Sequence, residues 1–162
     1  MRLGMICLLT ALSVLLGGCV EAEPLESGRH SPVYLTAWQT YWDMEGGSQD
    51  HAALHKRMDA ISYFAVCYDE HDALYVPDAV RAMAAEYKGK NLETYLSFTN
   101  DIVGKRHSEK DRELLWRLLG SDESIDRTVA EMTALAQEFG VHGVELDYEN
   151  FAKDEKLVQR YL

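Results

Sequence analysis

Cysteine is almost missing: the 162 residues contain three, Cys7, Cys19 and Cys67. Two of them fall in the first nineteen residues, so Cys67 stands alone, and neither a disulfide framework nor a cysteine-based metal site can be built. A single Cys inside an apolar run reads as a small buried hydrophobe. Positive charge is also short, with 16 Lys and Arg against 27 Asp and Glu, a formal net charge of −11. Nucleic acid and anionic membrane surfaces would be repelled by such a chain. No glycine-rich phosphate loop, no Ser-His-Asp order and no EF-hand-like loop occurs, and His51, His55, His71 and His107 share no ligand spacing. Those four histidines are read as surface residues, and no metal or other cofactor is expected. Disorder is not indicated either, because 47% hydrophobic and 27% charged residues is an ordinary globular composition.

What is present begins with a targeting segment. Arg2 is the only charge before Glu21, an apolar run extends from Leu3 to Leu16, and it ends at Leu16-Gly17-Gly18-Cys19. This is the layout of a signal peptide, residues 1–18, with small residues before the cut. Leu-Gly-Gly-Cys resembles the bacterial lipobox, which implies lipidation of Cys19, attachment to a membrane and a place in the bacterial cell envelope. A plain secretory signal or a membrane-anchoring helix is the alternative, although the run is short for a span. Residues 19–31 are polar and unpatterned, as in a tether.

From residue 32 onward, strand and helix patterns alternate. Pro32–Trp38 is the first expected strand, Gln39–Gln49 a loop and Asp50–Arg57 a short helix. Ala60–Tyr68 is the second strand, Asp69–Ala73 a turn, and Pro77–Tyr87 a helix with Val80, Met83 and Ala84 on one stripe. Asn91–Thr99 is the third strand, with Asn100-Asp101 opening its loop, followed by a short helix around Glu113–Leu119. Ser121-Asp122 offers a cap for a long helix in which Ile125, Val129, Met132, Leu135, Ala136 and Phe139 recur at helical spacing. A fourth strand and the start of another helix, Asp154–Leu162, complete the pattern. Alternation of this kind implies an α/β fold with parallel strands. Four such units are half of an eight-unit barrel, a fold that takes about 250 residues. The expectation is therefore a TIM-barrel type, (β/α)8, truncated to about its first four units in residues 32–162, the alternative being a complete four-strand α/β domain.

The chemistry is concentrated in Phe139–Phe151, where Glu145, Asp147 and Glu149 alternate with Val144, Leu146 and Tyr148. On a strand this alternation puts three carboxylates on one face, about 6.5–7 Å apart. Like charges at that spacing raise one another's pKa, so an ordinary half-buried strand would not carry them. A solvated edge or a divalent-cation site is the bland reading, but alternate residues of one strand cannot surround an ion unaided.

In this stretch the sequence resembles the family 18 glycoside hydrolases, whose fourth barrel strand carries D-x-x-D-x-D-x-E. The frame reads His142-Gly-Val-Glu145-Leu-Asp147-Tyr-Glu149 here: the last two acids match, Glu145 replaces an Asp, and His142 replaces the first Asp. The form with Tyr148, Glu149 and Asn150 looks most like the branch of spore-cortex and peptidoglycan N-acetylglucosaminidases. The resemblance implies hydrolysis of a β-1,4-linked N-acetylglucosamine glycan, peptidoglycan or chitin, by substrate-assisted retaining catalysis. Glu149 would be the general acid, Asp147 would orient the acetamide, and Glu145 would share a proton with Asp147. Trp38 and Trp42 after the first strand, Asn100 after the third, and Tyr148 are the candidate sugar-binding residues, although the two tryptophans can equally pack a loop. The tyrosine and tryptophan that the family supplies from its second half have no counterpart, so this chain is expected to be an inactive fragment. A non-catalytic glycan-binding lipoprotein is the alternative. The polysaccharide and the membrane are the expected partners, with no protein partner.

Overall fold

The computed structural model describes residues 33–54 and 56–162. The signal segment 1–18, Cys19, the tether 19–31, Pro32 and His55 lie outside the described residues, as does the side chain of His51. In chain order the elements are β1 (Thr36–Thr40), α1 (Met44–Leu54), β2 (Ala60–Tyr68), β3 (Leu74–Tyr75), α2 (Asp78–Tyr87), β4 (Glu93–Ile102), α3 (Arg112–Leu119), α4 (Asp122–Phe139), β5 (Gly143–Asp147) and α5 (Glu155–Tyr161). Four strands pair in parallel in the order β1-β2-β4-β5, and the short β3 adds to β2 antiparallel. This is the alternation expected of a parallel α/β fold of TIM-barrel type.

Three boundaries differ from the sequence reading. The first strand begins at Thr36, four residues later than its β-branched and aromatic composition suggests. The short helix expected from Asp50 is present as α1, but it starts six residues earlier, at Met44, inside the segment expected as a loop, and its Gly46-Gly47 pair has a packing reason. A Cβ on Gly47 would lie 2.1 Å from Gln39 Nε2, so glycine lets the helix settle on the buried Gln39. The third long strand, β4, continues to Ile102, so Asn100 and Asp101 belong to the strand and not to a loop.

The helix ends follow the chemistry of their caps. Ser121 and Ser124 form a reciprocal capping box at the start of α4, which Gly140 closes in the left-handed region at φ 65°. Asp111 caps α3 by accepting from Leu114 N at 2.7 Å, and Asp154 caps α5 by accepting from Leu157 N at 3.2 Å.

The two faces of the central strands differ in character. Ile61, Tyr63, Leu96 and Phe98 join a buried apolar cluster with Val80, Met83, Leu114, Leu115 and Leu157 from the helices. Ser62, Ser97 and Thr99 alternate with them and are buried on the opposite face. A register shift between Tyr63 and Val66 changes the alternation of β2, so that Val66 and Tyr68 stay in the apolar cluster while Cys67 meets Thr99 Oγ1 at 3.6 Å. Being buried on both sides, β2 reads as a nearly continuous apolar run, as central parallel strands do. β5 ends the sheet order, which leaves Val144 45% and Leu146 40% exposed where the alternation predicted a covered apolar face.

Candidate active site

The acid row is assembled by β5 and the two residues after it. Glu145 and Asp147 lie on β5 at the levels of Ser97 and Thr99 of β4, and Glu149 follows Tyr148 just beyond the strand. All three carboxylates are half-buried. Period-two geometry gives the first two their common side, since neighbouring strand residues point oppositely.

Glu145 is held by three other strands. Ser62 Oγ on β2 and Ser97 Oγ on β4 donate to its Oε2 at 2.7 and 2.6 Å, and Trp38 Nε1 on β1 lies 2.9 Å from both carboxylate oxygens. Charge-assisted bonds of this kind are the strong ones, and a carboxylate with three donors has one orientation. Asp147 is different. No described side chain donates a hydrogen bond to it, and its pKa is raised by burial first, then by the Glu149 and Glu145 charges, with Lys110 opposing.

Glu149 is placed through its backbone. Asn100, only 1% exposed, accepts from Glu149 N at 2.9 Å and donates to Glu149 O at 3.1 Å, and its second amide proton goes to Asp111 O at 3.2 Å. Its side chain meets Lys110 Nζ at 2.7 Å through Oε2. Asp101 Oδ1 accepts from Lys110 N at 2.7 Å, so Asp101 fixes the loop that carries this lysine.

Two expected sugar-binding residues are corrected by this geometry. Asn100 has its amide fully committed to backbone partners, which makes it a clamp for Glu149 and leaves it no proton for a ligand hydroxyl. Tyr148 takes the apolar side of the alternation: it is 8% exposed, bonded to Tyr68 through the two hydroxyls at 2.7 Å, and its ring lies against Tyr161. Burial pushes its phenol far up, so it is a packing residue. Trp38 and Trp42 remain on the surface at 53% and 64% exposure, both ringed against Phe64. His142, in the position of the family's first Asp, bonds Thr94 through Nδ1 and its backbone. Its recorded partners are therefore at the start of β4 and not within the acid row.

Three residues of the site escaped the sequence reading. Ser62 is a polar gap in the apolar run of β2, and that gap is the signal that could have found it. Ser97 was legible as a strand-end residue but not as a carboxylate partner. Lys110 lay unremarked in a charged stretch, and nothing local distinguishes it from Lys105 or Arg112. Among the described residues, no group of three or more His, Cys, Asp and Glu side chains is placed to hold a metal ion, and no helix is long and apolar enough to cross a membrane.

The raised pKa of Asp147 carries a sign that can be tested. A carboxyl whose folded pKa lies above its unfolded value of about 3.9 adds stability below that value and loses it as pH rises through the folded pKa. Asp147→Asn is therefore expected to melt at a higher temperature than the unchanged chain at pH 7 and at the same temperature near pH 3. Thermal melts at the two pH values check it; equal melting at pH 7 would mean that the acid row imposes no electrostatic cost.

No protein-family model matches the chain, and no curated protein matches it in sequence. Solved structures do match. The Bacillus cereus spore cortex-lytic enzyme SleL superposes with a TM-score of 0.65 at 16% identity, over 80% of this chain and 31% of that one. A GH18 chitinase from Cycas revoluta in complex with (GlcNAc)3 matches at 0.56 and 14% identity, over 80% and 37%. A chitinase from Bacteroides thetaiotaomicron matches at 0.58 and 11%, over 82% and 40%. The chain spans about a third of the length of these structures. Over most of its own length, the chain has the β/α fold of GH18 chitinases and of a spore cortex-lytic enzyme.

Proposed function

We propose that this chain carries the proton-transfer half of a glycosidase site for β-1,4-linked N-acetylglucosamine glycans, peptidoglycan or chitin. One observation supports the reading above others: three half-buried carboxylates share one side of a strand end on the fold of GH18 chitinases. In this reading the substrate's acetamido oxygen attacks the anomeric carbon as the glycosidic C–O bond breaks, and Glu149 gives its proton to the departing oxygen. Asp147, crowded by its anionic neighbours, holds the acetamide and balances the positive oxazolinium. Glu149, now a carboxylate, then takes a proton from water as that water's oxygen bonds to the anomeric carbon and reopens the ring. Substrate assistance of this kind departs from the two-carboxylate scheme of most retaining enzymes. Glu145, tied down by Trp38, Ser62 and Ser97, forms the fixed wall behind Asp147.

Trp38 and Trp42 offer exposed indole faces on which pyranose rings would stack. Glycan binding measured by calorimetry with chitin oligosaccharides and soluble peptidoglycan fragments tests this. Trp42→Ala is expected to weaken binding about three- to tenfold, the size of one aromatic contact. Equal affinity would remove Trp42 from the glycan surface.

A binding protein without turnover is the second reading, favoured by the ion pair that occupies Glu149. Release of reducing ends by a protein that carries this chain within a complete barrel separates the two, since binding without release there supports the second and sinks the first. Placement in the bacterial envelope through a lipid on Cys19 is part of the proposal and rests on Leu16–Cys19 alone. Metabolic labelling with a fatty-acid analogue, lost in Cys19→Ala, tests it.

A further inference from the structure

Lys110 is built into the acid row by its backbone as well as its side chain. The loop that follows β4 is pinned by the pairing of Ile102 with Ser108, and Asp111 N returns to Asn100 O at 2.8 Å. Within this frame Lys110 adopts φ 52°, donates its N–H to Asp101 Oδ1 at 2.7 Å and accepts from Asn150 Nδ2 at 3.1 Å through its carbonyl. Left-handed backbone at a non-glycine residue is unfavourable by itself and is held by its surroundings. Asn150, immediately after Glu149, is left-handed as well at φ 63°. Two left-handed residues thus hold each other and bring Lys110 Nζ within 2.7 Å of Glu149 Oε2.

Charges around Glu149 come from every neighbouring segment: Asp101 from β4, Asp147 and Glu145 from β5, and Lys110 from the loop. Arg106 and Arg117 are turned to Asp111 and Asp72, and Arg112 to Glu113. Among the described residues, Lys110 is the cation seen paired with a member of the acid row. Its own pKa is raised, first through the hydrogen bond to Glu149 and then through the charges of Glu149, Asp147 and Asp101.

We propose that Lys110 is a positioning residue of the proton-transfer site, one that holds the Glu149 carboxylate at the rim until the Lys110–Glu149 pair opens. Its importance to turnover rests on the reading of Glu149 as proton donor, but the ion-pair control itself does not. A ligand that displaces the ammonium would free the Glu149 carboxylate from this position.

Carbon-13 carboxyl titration of the 162-residue chain, read at Glu149 and Asp147, tests this without any assay of turnover. Lys110→Met keeps the length and the backbone demands of the residue and removes its charge. The expected result is a rise of about 0.2–0.7 pH units in the Glu149 midpoint, the range for a half-exposed ion pair, with a smaller rise at Asp147. Lys110→Arg is expected to restore the original midpoints. In the unchanged chain the Lys110 Cε resonance should shift with the Glu149 midpoint, which keeps the test open should Lys110→Met fail to fold. Unmoved midpoints in a folded Lys110→Met chain, or a Cε resonance insensitive to pH between about 3 and 7, where carboxylates titrate, would overturn the proposal. Failure of a complete barrel carrying this chain to cleave any glycan would count against the glycosidase reading and leave these titrations unaffected.

Discussion

In a protein that carries this chain within a complete barrel, Glu149→Gln is expected to lower glycan cleavage by about a hundred- to ten-thousand-fold, the contribution of a positioned general acid, while leaving glycan affinity unchanged. The substitution keeps the length of the side chain and both hydrogen-bonding atoms of its head, but the amide cannot deliver a proton at neutral pH. The fold should not suffer. Glu149 is held by its backbone bonds to Asn100, which glutamine retains, and the pair with Lys110 is half-exposed, where such contacts contribute little. Reducing-end release, binding calorimetry and a thermal melt together check the outcome. Undiminished release by Glu149→Gln would end its assignment as the acid, whatever the glycan proved to be.

The largest effect on stability is expected at Asn100. Asn100→Leu leaves Glu149 N and the carbonyls of Glu149 and Asp111 without the partners they have now. Buried groups stranded in this way cost about 1–3 kcal/mol each and do not add fully, so a loss of about 3 kcal/mol is expected by urea denaturation. Asn100→Asp makes a sharper comparison. It keeps an acceptor for Glu149 N but turns the donating end into an oxygen facing two carbonyls. Burial beside two carbonyls, with Glu149 N as the donor that remains, raises the pKa of such a carboxyl. Its penalty should therefore be small below the unfolded value of about 3.9 and grow as pH rises through the folded value. Asn100→Asp as stable as the unchanged chain at pH 7 would show that the clamp is not closed in solution.

The contrast between Asn100 and the acid row explains what could be read in advance. Glu145 and Asp147 sit two residues apart in a β-branched segment, and the pleat alone gives them one side. The helix bounded by Ser121 and Gly140 was legible for a similar reason, because its caps and its apolar stripe are all local. The first half of helix α1 was not, because its glycine pair is a loop signal locally and a packing surface only once Gln39 lies beneath it. Asn100 was misjudged on the same ground: Asn-Asp is a turn signal, yet pairing of Ile102 with Tyr68 of β2 carried β4 through it. Tyr148 belonged by its spacing to the apolar side, and the contact with Tyr68 bears out the spacing over the sugar-binding role.

By itself the sequence determined the alternation of strands and helices and the common side of the Glu145 and Asp147 carboxyls on β5. Both follow from periods of two and 3.6 residues, properties of a single segment. Tertiary structure alone decided which of those carboxyls is tied down, which is crowded and which is paired, because their partners lie far away in the chain: Ser62 is 83 residues from Glu145, and Lys110 is 39 from Glu149. A carboxyl group's proton affinity depends on the charges and dipoles within a few ångströms of it. No local pattern specifies those neighbours until the strands are paired and the loop after β4 has closed.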